Sequence, residues 1–256
     1  MKEEQPFPEH SSSVPPIHEI AAQLEALEET IIFKICDRLQ YMQNLTVYTP
    51  GKSGFPDAPP EASLLSLRLL HQERMDSLFG RFEIPEERPF TRDLPKPQRT
   101  VRLSPAPLRL PDYNLVNLTD RIYTAYRDYI PRFCRPGDDG QYGSSVEHDV
   151  FALQAISRRV HYGAMYVGER KYQDDPAGYQ KLIGRQDKKA LMEKLTRPEV
   201  EERILRRVGE KLDYIQEMAN REVRVILNKP ILIEFYREVV IPLTKEGEVR
   251  YLLHRQ

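Results

Sequence analysis

Apolar residues in this chain recur at steps of three and four, and almost nowhere at steps of two. Ile17, Ile20, Leu24, Leu27, Ile31, Ile35 and Leu39 form the first such series, the amphipathic stripe of an α-helix. Leu64, Leu65, Leu67, Leu70 and Leu78 form a second; Leu115, Leu118, Ile122, Tyr126 and Ile130 form a third. A chain patterned this way buries its apolar surface helix against helix, so the predicted fold class is all-α. The one alternating piece, Val223–Leu227, is short. Glycine is scarce, at 12 of 256 residues, which also favours helix. The 21 prolines would argue against helices if they were spread evenly. Seven of them (Pro85, Pro89, Pro95, Pro97, Pro105, Pro107, Pro111) instead crowd one 27-residue stretch and mark a loop.

Residues 1–13 read as a disordered arm, and residues 14–256 as a single all-helical domain. The first helix is predicted over 15–43 with Ser13 as N-cap, followed by a Pro/Gly-rich loop over 49–60 and a helix over 61–81. The stretch 83–111 has neither period and is expected to be either functional or a lid over another element. A helix over 112–129 is stopped by Pro131. The turn-rich segment Gly137–Ser144 opens a long helix over 145–173, with Ser144 a cap for it. Shorter helices follow over 176–185 and 187–195. A longer one starts near Arg197-Pro198 and runs past 215, with Thr196 and Glu199 at capping-box spacing. The last starts around Pro230 and nearly reaches the C-terminus.

The charge balance, 38 Lys and Arg against 39 Asp and Glu, excludes a general electrostatic grip on nucleic acid. No apolar run approaches the roughly 20 residues a membrane span requires. The opening MKEEQPFPEHSSSVPP lacks the apolar core of a secretory signal. Cys36 and Cys134, 98 residues apart, form neither a metal site nor a disulfide framework; reduced thiols in the cytoplasm are the expectation. Gly51-Lys52-Ser53 lacks the earlier glycine of a phosphate-binding loop, because Thr46 stands there. His18-Glu19 lacks the second histidine of a zinc protease, because Ala22 stands there. The glycines at 137, 140 and 143 follow no strand, so they are no dinucleotide fingerprint, and no Gly-x-Ser-x-Gly elbow occurs.

What remains is a set of cations and carboxylates on the later helices. The long helix carries Arg158, Arg159, Arg170 and Lys171. Arg197 and Glu201 are four apart and share a helix face, as do Thr244 and Glu248. Spacing alone describes solvated ion pairs as well as it describes a site.

Several blocks, however, resemble the eukaryotic-type, all-helical chorismate mutases. They are Leu153-Gln-Ala-Ile-Ser-Arg-Arg-Val-His-Tyr-Gly163, Glu238-Val-Val-Ile-Pro-Leu-Thr-Lys-Glu-Gly-Glu-Val-Arg-Tyr-Leu-Leu253, Glu29-Thr-Ile-Ile-Phe-Lys34, Gly80-Arg-Phe82, Glu86-Glu-Arg-Pro-Phe90, Tyr179-Gln-Lys-Leu-Ile183 and Val200-Glu-Glu-Arg-Ile-Leu205. They occur in the family's order from residue 17 to the C-terminus. The resemblance implies a helical bundle that converts chorismate to prephenate by an intramolecular Claisen rearrangement, without metal or cofactor, in phenylalanine and tyrosine biosynthesis. Chorismate carries two carboxylates and an enolpyruvyl ether whose oxygen gains negative charge as its C–O bond breaks. A catalyst must clamp the carboxylates in a chair-like conformer and place donors at that oxygen.

By the same resemblance, Arg159 clamps a carboxylate, Lys171 serves the ether oxygen and a carboxylate, and Glu201 holds the ring hydroxyl. Thr244 and Glu248 form the last-helix pair. Glu248 donates to the ether oxygen, which requires a protonated carboxyl and so a raised pKa. Pro242, just ahead, is expected to kink that helix and help aim the pair.

Three positions depart from the family. Ala21 stands where the first helix carries a clamp arginine. Arg197 stands where asparagine is common, and is a candidate replacement cation for substrate binding. Arg159 and Lys171 are twelve apart rather than eleven, so a regular helix would align Arg170 with Arg159. Lys171 is aligned only if a bulge near Gly163 absorbs one residue. These departures leave open a degenerate paralogue that binds a partner or aromatic ligand, or an enzyme acting on a related carboxylated ether. Many relatives are homodimers regulated by aromatic amino acids. The effector loop resembles Gln141-Tyr142-Gly143-Ser144, with Gln141 where asparagine is typical, and Arg81 resembles a cation on the facing helix.

Overall fold

The computed structural model describes residues 13–218 and 228–256. The arm over residues 1–12 and the alternating piece Val223–Leu227 lie outside the described residues. No β-strand occurs among those described, and the all-α expectation holds.

Helix α1 spans Ile17–Arg38 and buries Ile20, Leu27, Ile31, Ile32 and Ile35. It starts two residues later than predicted, with Pro16 rather than Ser13 at the N-cap; the Pro16 carbonyl accepts from the backbone N–H of Glu19 and Ile20. Ile17, the first residue of the helix, belongs to the apolar series but is exposed, whereas Ile20 in the same turn is fully buried. Helix α2, Leu64–Leu78, opens with a reciprocal box in which Ser63 and Ser66 each accept the other's backbone N–H. It ends short of 81, because Gly80 adopts φ +80° and turns the chain out of the helix.

The proline-rich loop is pinned to α2. Glu73, fully buried, accepts from the backbone N–H of Phe90 and Thr91 at 3.0 and 2.7 Å. Ser77 donates to the Pro95 carbonyl at 2.6 Å. Helix α3, Thr119–Phe133, is shifted seven residues from its predicted start, since Tyr113–Val116 closes into a 3₁₀ turn capped by Asp112. Pro131 does not stop α3. It lies in the last turn, where its missing N–H interrupts little of the ladder.

Two long rods follow, each interrupted by a π-turn. The first comprises α4 (Tyr142–Tyr162), a π-turn over Gly163–Val167 and α5 (Gly168–Asp174). Three helices connect the rods: α6 (Pro176–Gly184), α7 (Lys188–Leu195) and α8 (Pro198–Met218). The second rod comprises α9 (Lys229–Phe235), a π-turn over Tyr236–Val240 and α10 (Ile241–His254). Pro242 is the second residue of α10, immediately after that π-turn. The predicted disturbance therefore takes the form of a widened turn ahead of the proline.

Helix α4 runs through the middle, packed by α1, α2, α3 and α10. One apolar cluster gathers Ile31, Ile35, Val150, Leu153, Ile156, Val160, Phe235 and Leu243 among others. A second gathers Ala164, Met165, Tyr172, Tyr179, Leu195, Val249 and Tyr251. The changeover between them falls after Val160 on the first rod and after Leu243 on the second. Thr244 and Glu248 fall within the second interval and Arg159 at the edge of the first, while Lys171 lies further along, on α5. A separate buried network ties α1 to α3 and α4: Arg38, Tyr48 and Tyr126 all donate to Asp149, at 2.7, 2.7 and 2.8 Å.

Candidate active site

The π-turn over Gly163–Val167 decides which cation of the first rod faces inward. Twelve residues at about 100° each leave Lys171 about 120° away from Arg159, whereas one residue absorbed in a π-turn returns it to within about 20°. Lys171 accordingly points at α10, its Nζ donating to Glu248 Oε2 at 2.8 Å and to the Leu195 carbonyl at 3.0 Å. Arg170 turns the other way and pairs with Asp174 on its own helix turn. Arg158 likewise faces out of the site, towards Glu86 and Glu87.

Arg159 is 2% exposed. Its Nη1 donates to Thr244 Oγ1 at 3.0 Å, and its Nη2 lies 3.5 Å from Glu28. Its Nε has no hydrogen-bond partner, so the fork keeps an unused donor. Close approach of the rods makes this geometry possible: a Cβ at Gly163 would lie 2.7 Å from Thr244 Cγ2. Glu28 in turn takes two bonds from Arg207 of α8, at 2.9 and 2.8 Å, so Arg159 borders the acid without depending on it.

Thr244 anchors itself to the Val240 carbonyl at 2.7 Å, which leaves its hydroxyl oxygen towards Arg159. Glu248, one turn further, is 4% exposed. Burial pushes its carboxyl above the ordinary range, partly offset by Lys171, Lys245 and Arg159. Glu201, from α8, accepts from Lys245 Nζ at 2.9 Å. Lys245 and Glu28 escape the sequence reading. Glu28 had a signal, being a carboxylate in the apolar row Leu24, Ile31, Ile35; Lys245 had only its place beside Thr244.

The two rods, from distant parts of the chain, thus bring a guanidinium and an ammonium from one against a hydroxyl and a protonatable carboxyl from the other. That set can clamp a small dianion and donate to a developing oxyanion. No protein-family model matches the chain. A chorismate mutase of Trichoderma parareesei is 35% identical over 251 residues, covering 92% of this chain and 91% of that protein. The crystal structure of a Candida albicans chorismate mutase in complex with L-Trp superposes with a TM-score of 0.86 at 31% identity, covering 94% of this chain and 91% of that one. The crystal structure of AtCM1 with phenylalanine bound in its allosteric site superposes with a TM-score of 0.83 at 34% identity, covering 97% of this chain and 98% of that one.

The chain belongs to the chorismate mutase family.

This is a family of enzymes that isomerise chorismate to prephenate, and the fold of this chain is the family's all-helical one. Its departures are local. Ala21 lies on α1, one turn before Leu24, whose Cδ2 would sit 3.5 Å from a Cβ at Gly163. Arg197 is exposed at the α7–α8 junction, with Nη1 donating to the carbonyls of Lys194 and Thr196 at 3.0 and 3.2 Å. The predicted capping box is absent. Thr196 bonds back to the Met192 carbonyl, and the Arg197 carbonyl accepts the first bonds of α8 from Val200 and Glu201.

The effector-like residues do not converge within one chain. Arg81 sits in a 3₁₀ turn after α2 rather than on the helix. Its guanidinium bonds Asp76 at 2.9 Å, Glu87 at 3.0 Å and Gln154 at 2.7 Å. Gln154 is ten residues along α4 from Ser144, about 15 Å. Ser144 lies inside α4 and is not its cap. That position is held by Gln141, whose side chain makes no capping bond, and both Gln141 and Gly143 are exposed. No helix among the described residues is long and apolar enough to cross a membrane.

Proposed function

We propose that this chain rearranges chorismate to prephenate between α1, α4, α5, α8 and α10, and that it does so despite Ala21. The observation that carries the reading is the Lys171–Glu248 pair at 2.8 Å, one turn of α10 from the Arg159–Thr244 bond. Arg159 takes one substrate carboxylate through its planar fork. Lys171 leaves Glu248 for the ether oxygen and the adjacent carboxylate. Glu248, buried and with its carboxyl pushed upward by that burial, donates in its protonated form to that same oxygen as the C–O bond breaks and the new C–C bond forms within the one molecule. Glu201 holds the ring hydroxyl, with Lys245 fixing its carboxylate. Arg197 supplies the second carboxylate contact by releasing the two carbonyls it caps, which are weak partners for a guanidinium compared with a carboxylate.

A second reading is favoured by Ala21 and by the outward position of Arg197: a family member with a weakened clamp, binding an aromatic ligand or a related carboxylated ether. Incubating the chain with chorismate and following prephenate separates the two. Lys171→Ala then tests the site, because turnover by that variant at the wild-type rate would remove the assignment.

The protein is further proposed to be a cytoplasmic homodimer with an aromatic amino acid effector. Support for the dimer comes from Met75 and Phe79, four apart on the end of α2 and 49% and 66% exposed. Arg81 is bonded to Gln154, ten residues or about 15 Å along α4 from Ser144, so a second chain would be the means of bringing such residues together. Support for the compartment comes from a relative of Zea mays named chorismate mutase 2, cytosolic, 34% identical over 243 residues.

A further inference from the structure

The π-turn raises a question that the site itself does not answer. A π-turn holds one residue more than an α-turn and is rare, occurring mostly as a single-turn bulge inside an α-helix. If it annealed into regular helix, every residue after it would move one place, and Arg170 would take the position of Lys171. Something beyond the π-turn must hold α5 in the register that presents lysine.

We infer that Glu169, gripped by Arg255 and Tyr251 of the C-terminal segment, is the register lock that selects Lys171 over Arg170 as the inward cation. This rests on the reading of Lys171 as a site residue. Glu169 is 1% exposed. Its Oε2 accepts from Tyr251 Oη and Arg255 Nε, both at 2.6 Å, and its Oε1 accepts from Arg255 Nη2 at 2.9 Å. Tyr251 is held from behind by the Arg109 backbone N–H at 3.0 Å. The Arg255 guanidinium also lies 3.6 Å from the ring centroid of Tyr172, the next inward residue of α5.

The neighbouring positions agree with this register and oppose the slipped one. Gly168 packs so close to α10 that a Cβ there would lie 3.2 Å from Tyr251 Cδ1. One place of slippage would put Val167 against that ring. It would also put Gly168 opposite Arg255, leaving a guanidinium without its carboxylate, and Lys171 where Tyr172 now stacks. Arg170, by contrast, has only Asp174 to lose. Glu169, Arg255 and Tyr251 touch none of the groups assigned to substrate, so they are positioning residues.

The experiment is a double-mutant series on the full chain, read as kcat/KM for chorismate, with helicity and thermal unfolding as folding controls. Arg170→Ala in the wild-type background is expected to change kcat/KM less than twofold. Arg255→Ala is expected to lower it at least tenfold while the helical signal is kept. In the Arg255→Ala background, Arg170→Ala should lower it a further fivefold or more, because part of the population now presents Arg170 to the substrate. A purely structural role for Arg255 would not make Arg170 matter. Where Arg255→Ala does not fold, Arg255→Lys keeps a cation without the two-pronged grip, and the same dependence on Arg170 is read there. Full activity without Arg255, or a loss indifferent to Arg170, overturns the lock. Lys171→Ala separates this from failure of the site itself: wild-type turnover in that variant removes the site, whereas an inactive Lys171→Ala with no Arg170 dependence removes the lock alone.

Discussion

Replacing Arg159 by alanine should separate activity from stability, and the structure says by how much. The guanidinium is buried, one of its nitrogens is on Thr244, and its Nε has no partner. Its removal takes away a charged, preorganised donor set, leaving a substrate carboxylate unpaired. Loss of a comparable donor costs about 3 to 4 kcal/mol of transition-state stabilisation, about 10² to 10³ in kcat/KM. The fold should lose far less. Glu28 keeps both bonds from Arg207, and Thr244 keeps the Val240 carbonyl, so no buried acid or hydroxyl is stranded. A cost of about 1 to 2 kcal/mol, a few degrees in Tm for a chain of this size, is expected. Initial rates with chorismate and thermal unfolding of the same preparation read both quantities. Arg159→Lys should fall between, since an ammonium keeps the charge and loses the fork. A variant within threefold of wild type would refute the reasoning, as would one whose lost activity tracks lost structure.

Three further outcomes are expected. Because burial raises the pKa of Glu248 and the mechanism needs its proton, kcat should fall as pH rises through that raised value; Glu248→Gln should flatten the alkaline limb, and an unchanged limb would assign it to another group. If Arg197 compensates for Ala21, Arg197→Ala should cost kcat/KM about as much as Arg159→Ala, and Ala21→Arg should partly restore it; indifference to both changes would mean the second carboxylate is held elsewhere. His161, neutral and fully buried with its pKa pushed by burial down to about 3, accepts from the Leu118 backbone N–H at 3.0 Å. The unfolded chain takes up that proton near pH 6.5 and the folded chain does not, so stability should decline as pH falls from about 6.5 towards 3. Urea unfolding at several pH values checks this against His161→Gln, which should lose part of that decline.

Much of this architecture is legible in the sequence for a physical reason: helix stripes and site cations share one period. The twelve-residue spacing of Arg159 and Lys171 fits Arg170 on a regular helix, and only the family resemblance, which places Lys171 in the site, calls for a bulge near Gly163, where the π-turn lies. Other features have no local signal. Pro131 reads as a stop, but its effect depends on how much helix remains beyond it, and only the last turn does. Whether Arg197 points inward is decided by nearby carbonyls of α7, not by its spacing from Glu201. The Arg159–Glu28–Arg207 series joins three helices, and only the stray carboxylate in the apolar stripe of α1 hints at it. The proline-rich stretch is recognisable as a covering loop, but its attachment through Glu73 and Ser77 involves backbone groups that no side-chain pattern encodes.

The central claim is that a chain with Ala21 on its first helix still assembles a working site around Arg159, Lys171 and Glu248. Its most direct test is the purified wild-type chain incubated with chorismate at near-neutral pH, with chorismate and prephenate quantified over time. The account predicts saturable consumption, one prephenate formed per chorismate lost, and abolition of that turnover by Lys171→Ala. Chorismate decay at the rate of the buffer alone, by a chain that is folded and helical, would contradict it.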